Sequence, residues 1–335
     1  MKTIILSEND LSLAYNIIKN GGLVVSPTET VYGLCANALD PCAVEKIFLA
    51  KGRPADNPLI VHISSIDMLD KLVVNIPIVA SKLIDAFWPG PLTLIFNASN
   101  LVPNIVRADL PTVAIRFPAN PIMQKLISNT NLPLAAPSAN LSSKPSPTNS
   151  KRVIEDLYGK VDAIIDGGEC NVGIESTVID LANLSILRPG SITKSMLNSV
   201  AADFDYAIPN SNVPISPGMK YKHYAPAANI TIVKGVEQKV IDTIIKLAQK
   251  DALNDIKVGV LVTDELLPYF QNMHYLGLGS INNLEVVASN LFEKLRLLDD
   301  LELQQVYTIY LPNFGIGAAI MNRLIKASNH QIIEV

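Results

Sequence analysis

Gly22-Leu-Val-Val-Ser26, Lys51-Gly-Arg-Pro54 and Asn57-Pro-Leu-Ile-Val-His62 decide how this chain is read. Gly22–Ser26 is a short apolar run and predicts a buried strand. Asp40-Pro41 opens a helix, with proline at the first helical position. Ala43, Val44, Ile47 and Phe48 form its apolar stripe, and Lys51-Gly52 ends it. Pro58–Ile63 predicts the next strand. Strand, helix and strand in succession are the pattern of an α/β fold.

The alternation extends both ways. Upstream, Leu11, Ala14 and Ile18 share one helical face, with Asp10 as the expected N-cap and Gly21 as the stop. Downstream, further strands are expected at Leu92–Asn97, Thr112–Phe117, Pro133–Pro137, Ala163–Asp166, Ser176–Leu181 and Leu184–Arg188. This predicts one α/β domain over residues 1–205, with a twisted open sheet of mixed strand direction. Residues 206–228 carry four prolines and no apolar periodicity, which marks a linker. Two tyrosines, a histidine and two lysines within Lys220–Tyr224 give that linker the composition of a docking segment. The alternation restarts with strands at Ile230–Val233, Ile256–Thr263 and Val306–Leu311. Helices are expected at Glu237–Lys250, Ile281–Leu297 and Gly315–Lys326. Residues 229–335 thus form a smaller, doubly wound, Rossmann-like domain. Phe314-Gly-Ile-Gly317 reads as two glycines easing the start of a helix, and a Gly-x-Gly pair is weak support for a phosphate site.

Composition closes several functional classes. Hydrophobic residues make up 49% and charged residues 17% of the 335, so the chain is not disordered. Three cysteines, Cys35, Cys42 and Cys170, include no CxxC pair, which argues against a disulfide scaffold or a zinc site. The apolar run in Met1–Asp10 is too short for a signal peptide, and no stretch is long enough to span a bilayer. A cytoplasmic protein without membrane attachment is the expectation. Net charge is −4, and neither half is a polycation, so weak or no direct nucleic-acid binding is expected. There is no Walker A sequence and no Gly-x-Ser-x-Gly elbow.

Four cations share one kind of punctuation. Lys51 and Arg53 sit in Lys-Gly-Arg-Pro, Arg116 in Arg-Phe-Pro, and Arg188 in Arg-Pro-Gly. Each lies at a predicted turn or strand end, where open α/β sheets bind ligands. Four such cations could converge on one polyanion, and arginine's planar fork suits carboxylate and phosphate. His62 ends an apolar strand and could hydrogen-bond a substrate or act as a base. Pro137-Ser-Ala-Asn140 and Ser142–Thr148 form a hydroxyl-rich loop that could hold phosphates. Asp166-Gly-Gly168 and Glu175–Asp180 add carboxylates and hydroxyls that could touch an amine or a hydrated metal ion.

Together the motifs resemble the threonylcarbamoyl-AMP synthase family, also called YrdC-like, in its two-domain form. The resemblance rests on Pro27-Thr-Glu-Thr-Val-Tyr-Gly33, Lys51-Gly-Arg-Pro54 with Asn57–His62, and Phe87-Trp-Pro-Gly-Pro-Leu-Thr93. It continues through Ala136-Pro-Ser-Ala-Asn140, Glu175-Ser-Thr-Val-Ile-Asp180, Leu187-Arg-Pro-Gly190 and Ser216-Pro-Gly-Met-Lys-Tyr-Lys-His-Tyr-Ala-Pro226. It implies a YrdC-like first domain and a reaction of L-threonine, bicarbonate or CO₂, and ATP. The products would be threonylcarbamoyl-AMP and pyrophosphate, and a tRNA threonylcarbamoyl-transfer enzyme would act downstream. Carried onto this chain, Thr30, His62, Arg116 and Ser176 would hold threonine. Arg53, Asn57, Thr112, Ala136, Ser138, Ser146 and Arg188 would hold ATP. Lys51 and Arg53 would be the catalytic cations, and Tyr224 would close the site from the linker. Mg²⁺ would come with ATP, and no protein-held metal is implied. An RNA-binding module without catalysis, or an ATP-dependent enzyme for another amine, are the alternative readings; the mild acidity argues against the first.

Overall fold

A computed structural model describes residues 2–207 and 224–335. The docking segment expected at Lys220–Tyr224 therefore lies outside the described residues, apart from Tyr224. The chain divides into two compact units: Met1–Ser142 with Ser146–Tyr221, and Ser143–Pro145 with Lys222–Val335.

The first unit is built on an 11-stranded mixed sheet. Its strands are β1 (Ile4–Ser7), β2 (Val24–Ser26), β3 (Gly33–Asn37), β4 (Ile60–His62), β5 (Leu92–Asn97) and β6 (Thr112–Arg116). They continue as β7 (Leu134–Ala135), β8 (Ala163–Asp166), β9 (Thr177–Asp180), β10 (Ser185–Arg188) and β11 (Asp205–Tyr206). The order across the sheet is β1-β8-β2-β3-β7-β4-β6-β5-β9-β10-β11. The β4–β6 and β5–β9 pairs are parallel; β5–β6 and β9–β10 are antiparallel. Strand β1 falls on the run read as too short for a signal peptide. Its neighbour is β8, far away in sequence, so a local pattern carries no sign of it.

The centre of the sheet has two different faces, because side chains alternate along a strand. Val61, Ile115, Leu94 and Ile179 are in register across β4, β6, β5 and β9 and join the main core. The intervening Ile60, Ala114 and Ile95, with Val178, form a small separate apolar cluster.

Helix boundaries follow their caps. Asp40 accepts from Cys42 N and starts Pro41–Lys51, and Gly52 ends that helix with φ of 60°. Only glycine adopts such a conformation without penalty. The first helix differs from expectation: it spans Ser12–Lys19 with Leu11 at the N-cap. Asp10 is occupied instead by the Ser12 hydroxyl, which donates to it at 2.9 Å.

The second unit holds five parallel strands: β12 (Asn229–Lys234), β13 (Val258–Val262), β14 (His274–Gly277), β15 (Gln305–Ile309) and β16 (Ile332–Glu334). Their order is β14-β13-β15-β12-β16. Helices Glu237–Ala252, Leu284–Asp300 and Ile316–Ala327 alternate with them, as a doubly wound unit requires. The Gly-x-Gly pair has a packing role. Gly315 is the N-cap of the last helix, and a Cβ on Gly317 would come within 2.0 Å of Pro312 O.

One glycine bears on the large sheet. A Cβ at Gly190 would meet Thr177 N at 2.4 Å and the Ser176 carbonyl carbon at 2.8 Å. Gly190→Ala is expected to lower stability by about 1–3 kcal/mol through overpacking, measured by urea unfolding. An unchanged midpoint would show that β9 yields freely there.

Candidate functional site

One rung of the sheet gathers much of the expected site. His62 of β4 is in register with Arg116 of β6, and Arg116 with Thr93 of β5. Thr93 is in register with Val178 of β9, and Val178 with Arg188 of β10. Partnered residues in neighbouring strands share a face. That face is the one carrying Ile60, Ala114 and Ile95, so a polar rung lies beside an apolar floor. Ala136 extends the floor row, its N–H donating to Ile60 O at 3.0 Å.

The polar groups of the rung are buried, and most of their hydrogen bonds are made within the protein. Arg116 donates through Nε to Gly90 O at 3.2 Å and through Nη1 to Thr30 Oγ1 at 2.8 Å. Its Nη2 lies 2.7 Å from Glu29 Oε1. Arg188 donates to Ser176 O and to Ser176 Oγ, each at 3.0 Å. Ser176 Oγ in turn lies 2.7 Å from Thr93 Oγ1. Thr30 is fixed by a local turn: Thr28 Oγ1 accepts from the N–H groups of Thr30 and Val31 and donates to Val31 O.

Charges in this cluster set its protonation. Burial pushes His62 down, and the Arg116 charge pushes it further, to about 3. The imidazole is therefore neutral at neutral pH, and its Nδ1 is buried without a hydrogen-bond partner. Burial pushes the Glu29 carboxyl up, but the Arg116 guanidinium beside it more than offsets this and holds it below its ordinary value.

The second group of expected residues lies along the Ser138 loop. Lys51 is buried at the end of its helix, and its ammonium donates to Ser138 O and, at 2.7 Å, to Asn140 O. Lys51 thus ends its helix as expected, with its ammonium turned inward onto loop carbonyls. Ser138 Oγ contacts Asn140 Oδ1 at 2.6 Å. Arg53 donates to Asn57 O at 2.9 Å. Asn57 is fully buried, and both polar atoms of its side chain lack a hydrogen-bond partner. Ser146 donates to Glu175 Oε1 at 2.6 Å. The two groups are clasped at Tyr32, which donates its N–H to Pro147 O and accepts from Ala139 N.

Thr112 opens β6, where the sequence places the start of that strand, four residues before Arg116. At the rise of a strand that is about 13 Å, so Thr112 and Arg116 lie well apart along one face. Tyr224 belongs to the second unit and is buried there against Phe292, ring centroids 5.2 Å apart, with Arg323 and Lys326 over its ring.

Glu29, Thr93 and Asn140 were quoted within motifs but given no role. Thr93 is the polar interruption of an otherwise apolar strand, which was a readable signal. Glu29 gave none beyond being a lone carboxylate between two threonines. Among the described residues no group of three or more His, Cys, Asp or Glu side chains is arranged to hold a metal ion. No helix among them is long and apolar enough to cross a membrane.

Two family models cover most of the chain. One, described as "Telomere recombination", matches residues 16–190, and one described as "Threonylcarbamoyl-AMP synthase, C-terminal domain" matches residues 192–329. The threonylcarbamoyl-AMP synthase of Pyrococcus abyssi is 45% identical, covering 98% of this chain and 97% of its own. The threonylcarbamoyl-AMP synthase of Bacillus subtilis is 43% identical, covering 98% and 96%. A crystal structure of P. abyssi Sua5 complexed with L-threonine superposes with a TM-score of 0.93 at 42% identity, over all of both chains.

His62 yields a pH test. Its folded value is below its unfolded one, so the unfolded chain binds a proton that the native state refuses between about pH 6.5 and 3. Stability from this group is full above that window and falls on acidification through it. Between pH 7 and pH 5 the wild type is expected to lose about 2 kcal/mol more than His62→Gln. Urea unfolding at both pH values measures this. Equal losses would rule out a buried neutral His62.

Proposed function

Because this chain belongs to the threonylcarbamoyl-AMP synthase family, we propose that it joins L-threonine, bicarbonate or CO₂, and ATP. The products are L-threonylcarbamoyladenylate and pyrophosphate. The observation that carries the reading is the rung through His62, Arg116, Thr93 and Arg188 on one face of the sheet. A buried arginine with a hydroxyl on one side and a neutral histidine on the other suits a small polar carboxylic acid. The apolar floor beside it suits a methyl group.

In this reading Arg116 binds the threonine carboxylate, and Thr30, Ser176 and His62 Nδ1 are the neutral hydrogen-bonding groups around it. The amine is left to attack the one-carbon unit. The resulting carbamate oxygen attacks the α-phosphorus of ATP, and pyrophosphate leaves. Arg53 and Arg188 lie with the nucleotide, and Asn57, with both side-chain polar atoms unmatched, supplies a donor and an acceptor to it. Thr112, Ala136, Ser138 and Ser146 complete its lining. Lys51 acts by pinning the Ser138–Asn140 loop while keeping a positive charge behind it. Mg²⁺ travels with ATP as part of the substrate, ligated by phosphate oxygens and water. Positioning dominates catalysis, since two successive condensations need aligned reactants. The product then passes to an enzyme that modifies tRNA, in the cytoplasm.

Pyrophosphate release by the purified chain with ATP and Mg²⁺ is expected to require both L-threonine and bicarbonate. Release without threonine, or with any amino acid equally, would overturn the substrate assignment. Arg116→Lys keeps the charge but loses the fork. It is expected to raise the KM for threonine about tenfold or more and leave that for ATP nearly unchanged. A parallel rise in both would sink the role given to Arg116.

A further inference from the structure

Glu29 has no part in the reading above, although it precedes Thr30 in the same motif. Its side chain is 14% exposed, that of Arg116 is 4% exposed, and the two stand 2.7 Å apart. The Glu29 carboxylate leans on the Arg116 guanidinium and on the backbone N–H groups of Ala119 and Glu29, but none of these is well enough aligned to complete either Glu29 oxygen or Arg116 Nη2. The pair is therefore held by charge at short range, with hydrogen-bonding capacity unspent on both sides. A buried ion pair in that condition is costly unless further hydrogen bonds complete it. The backbone around Glu29 is fixed, since Val172 N donates to Glu29 O at 2.9 Å and the Thr28 turn begins one residue before it. The carboxylate is thus delivered to one place.

An α-amino acid supplies what this pair lacks. Its carboxylate offers acceptors to Arg116, and its ammonium offers three donors to Glu29. One internal ion pair is exchanged for two with the ligand, and the net charge of the cluster is unchanged. A carboxylic acid without an amine would add a negative charge beside Glu29 and leave both of its oxygens unmatched. We infer that Glu29 recognises the α-ammonium group of the substrate and makes this site select amino acids over other small carboxylic acids. This rests on the proposed role of Arg116 in holding the substrate carboxylate. The low protonation tendency of Glu29 next to Arg116 makes it a counter-ion for the ammonium, with proton removal left to solvent.

The test is calorimetric titration of the full chain with L-threonine, with 2,3-dihydroxybutanoic acid, which has a hydroxyl in place of the amine, and with ATP. The wild type is expected to bind threonine at least about thirtyfold more tightly than the dihydroxy acid. In Glu29→Gln, threonine should weaken and the dihydroxy acid should bind no worse or more tightly, so that the preference is lost, with ATP unaffected. Glu29→Asp should keep part of the preference. Equal binding of both acids by the wild type would overturn the inference without any variant, so it stays testable even if Glu29→Gln fails to fold. Equal weakening of both acids in Glu29→Gln would also overturn it, because Glu29 would then only orient Arg116. A wild type that binds ATP but no threonine would overturn the proposed substrate instead.

Discussion

Everything at the candidate site depends on the pleat of four central strands. Side chains alternate across a strand, so a strand buried on one face is free to carry different chemistry on the other. Here Val61, Ile115, Leu94 and Ile179 commit one face of β4, β6, β5 and β9 to the main core. That commitment fixes the register, because a slip of one residue would turn the core residues outward. Once register is fixed, His62, Arg116 and Thr93 must lie side by side. The placement of the polar rung is thus a consequence of packing on the opposite face.

A buried polar rung has to be satisfied from within the protein. Arg188, Ser176 and Thr93 form a chain of hydrogen bonds, and Arg116 reaches Gly90 and Thr30. Such a network holds side chains in single orientations before any ligand arrives, which lowers the entropy lost on binding. Lys51 illustrates the same economy at the neighbouring loop. Its ammonium is spent on backbone carbonyls, so its charge stiffens the loop and still contributes to the local field. Several of the groups left incomplete, at His62, Asn57, Glu29 and Arg116 Nη2, belong to these residues and their neighbours.

The second unit follows a simpler rule. Helices alternating with five parallel strands bury the central β13, β15 and β12, and these three read as short apolar runs for that reason, whereas the edge strands β14 and β16 are largely exposed. Buried Tyr224 sits between Phe292 on one helix and Arg323 and Lys326 on another. In the sequence its aromatic ring, close to Lys220 and Lys222, read as part of a docking segment. In this unit the ring packs against Phe292, and the cations over it are Arg323 and Lys326.

The fold class and the Rossmann-like character of the second unit were legible because apolar periodicity and Gly/Pro punctuation are local properties. Strands β5 and β8 were readable to the residue. Strand β1 was not read as a strand, since it is short and owes its existence to β8, far away in sequence, while β7 lies inside the expected Pro133–Pro137 and is shorter. The motifs by themselves singled out the residues to which the proposed chemistry is given, as a cation fixed by proline or a serine-rich loop is visible in the chain. Only the tertiary structure decided how those residues are used. It turned Lys51 inward onto the Ser138 loop and brought His62, Arg116 and Thr93 side by side. It also set Glu29 against Arg116. Register and burial depend on residues far apart in sequence, and a local pattern holds no record of them.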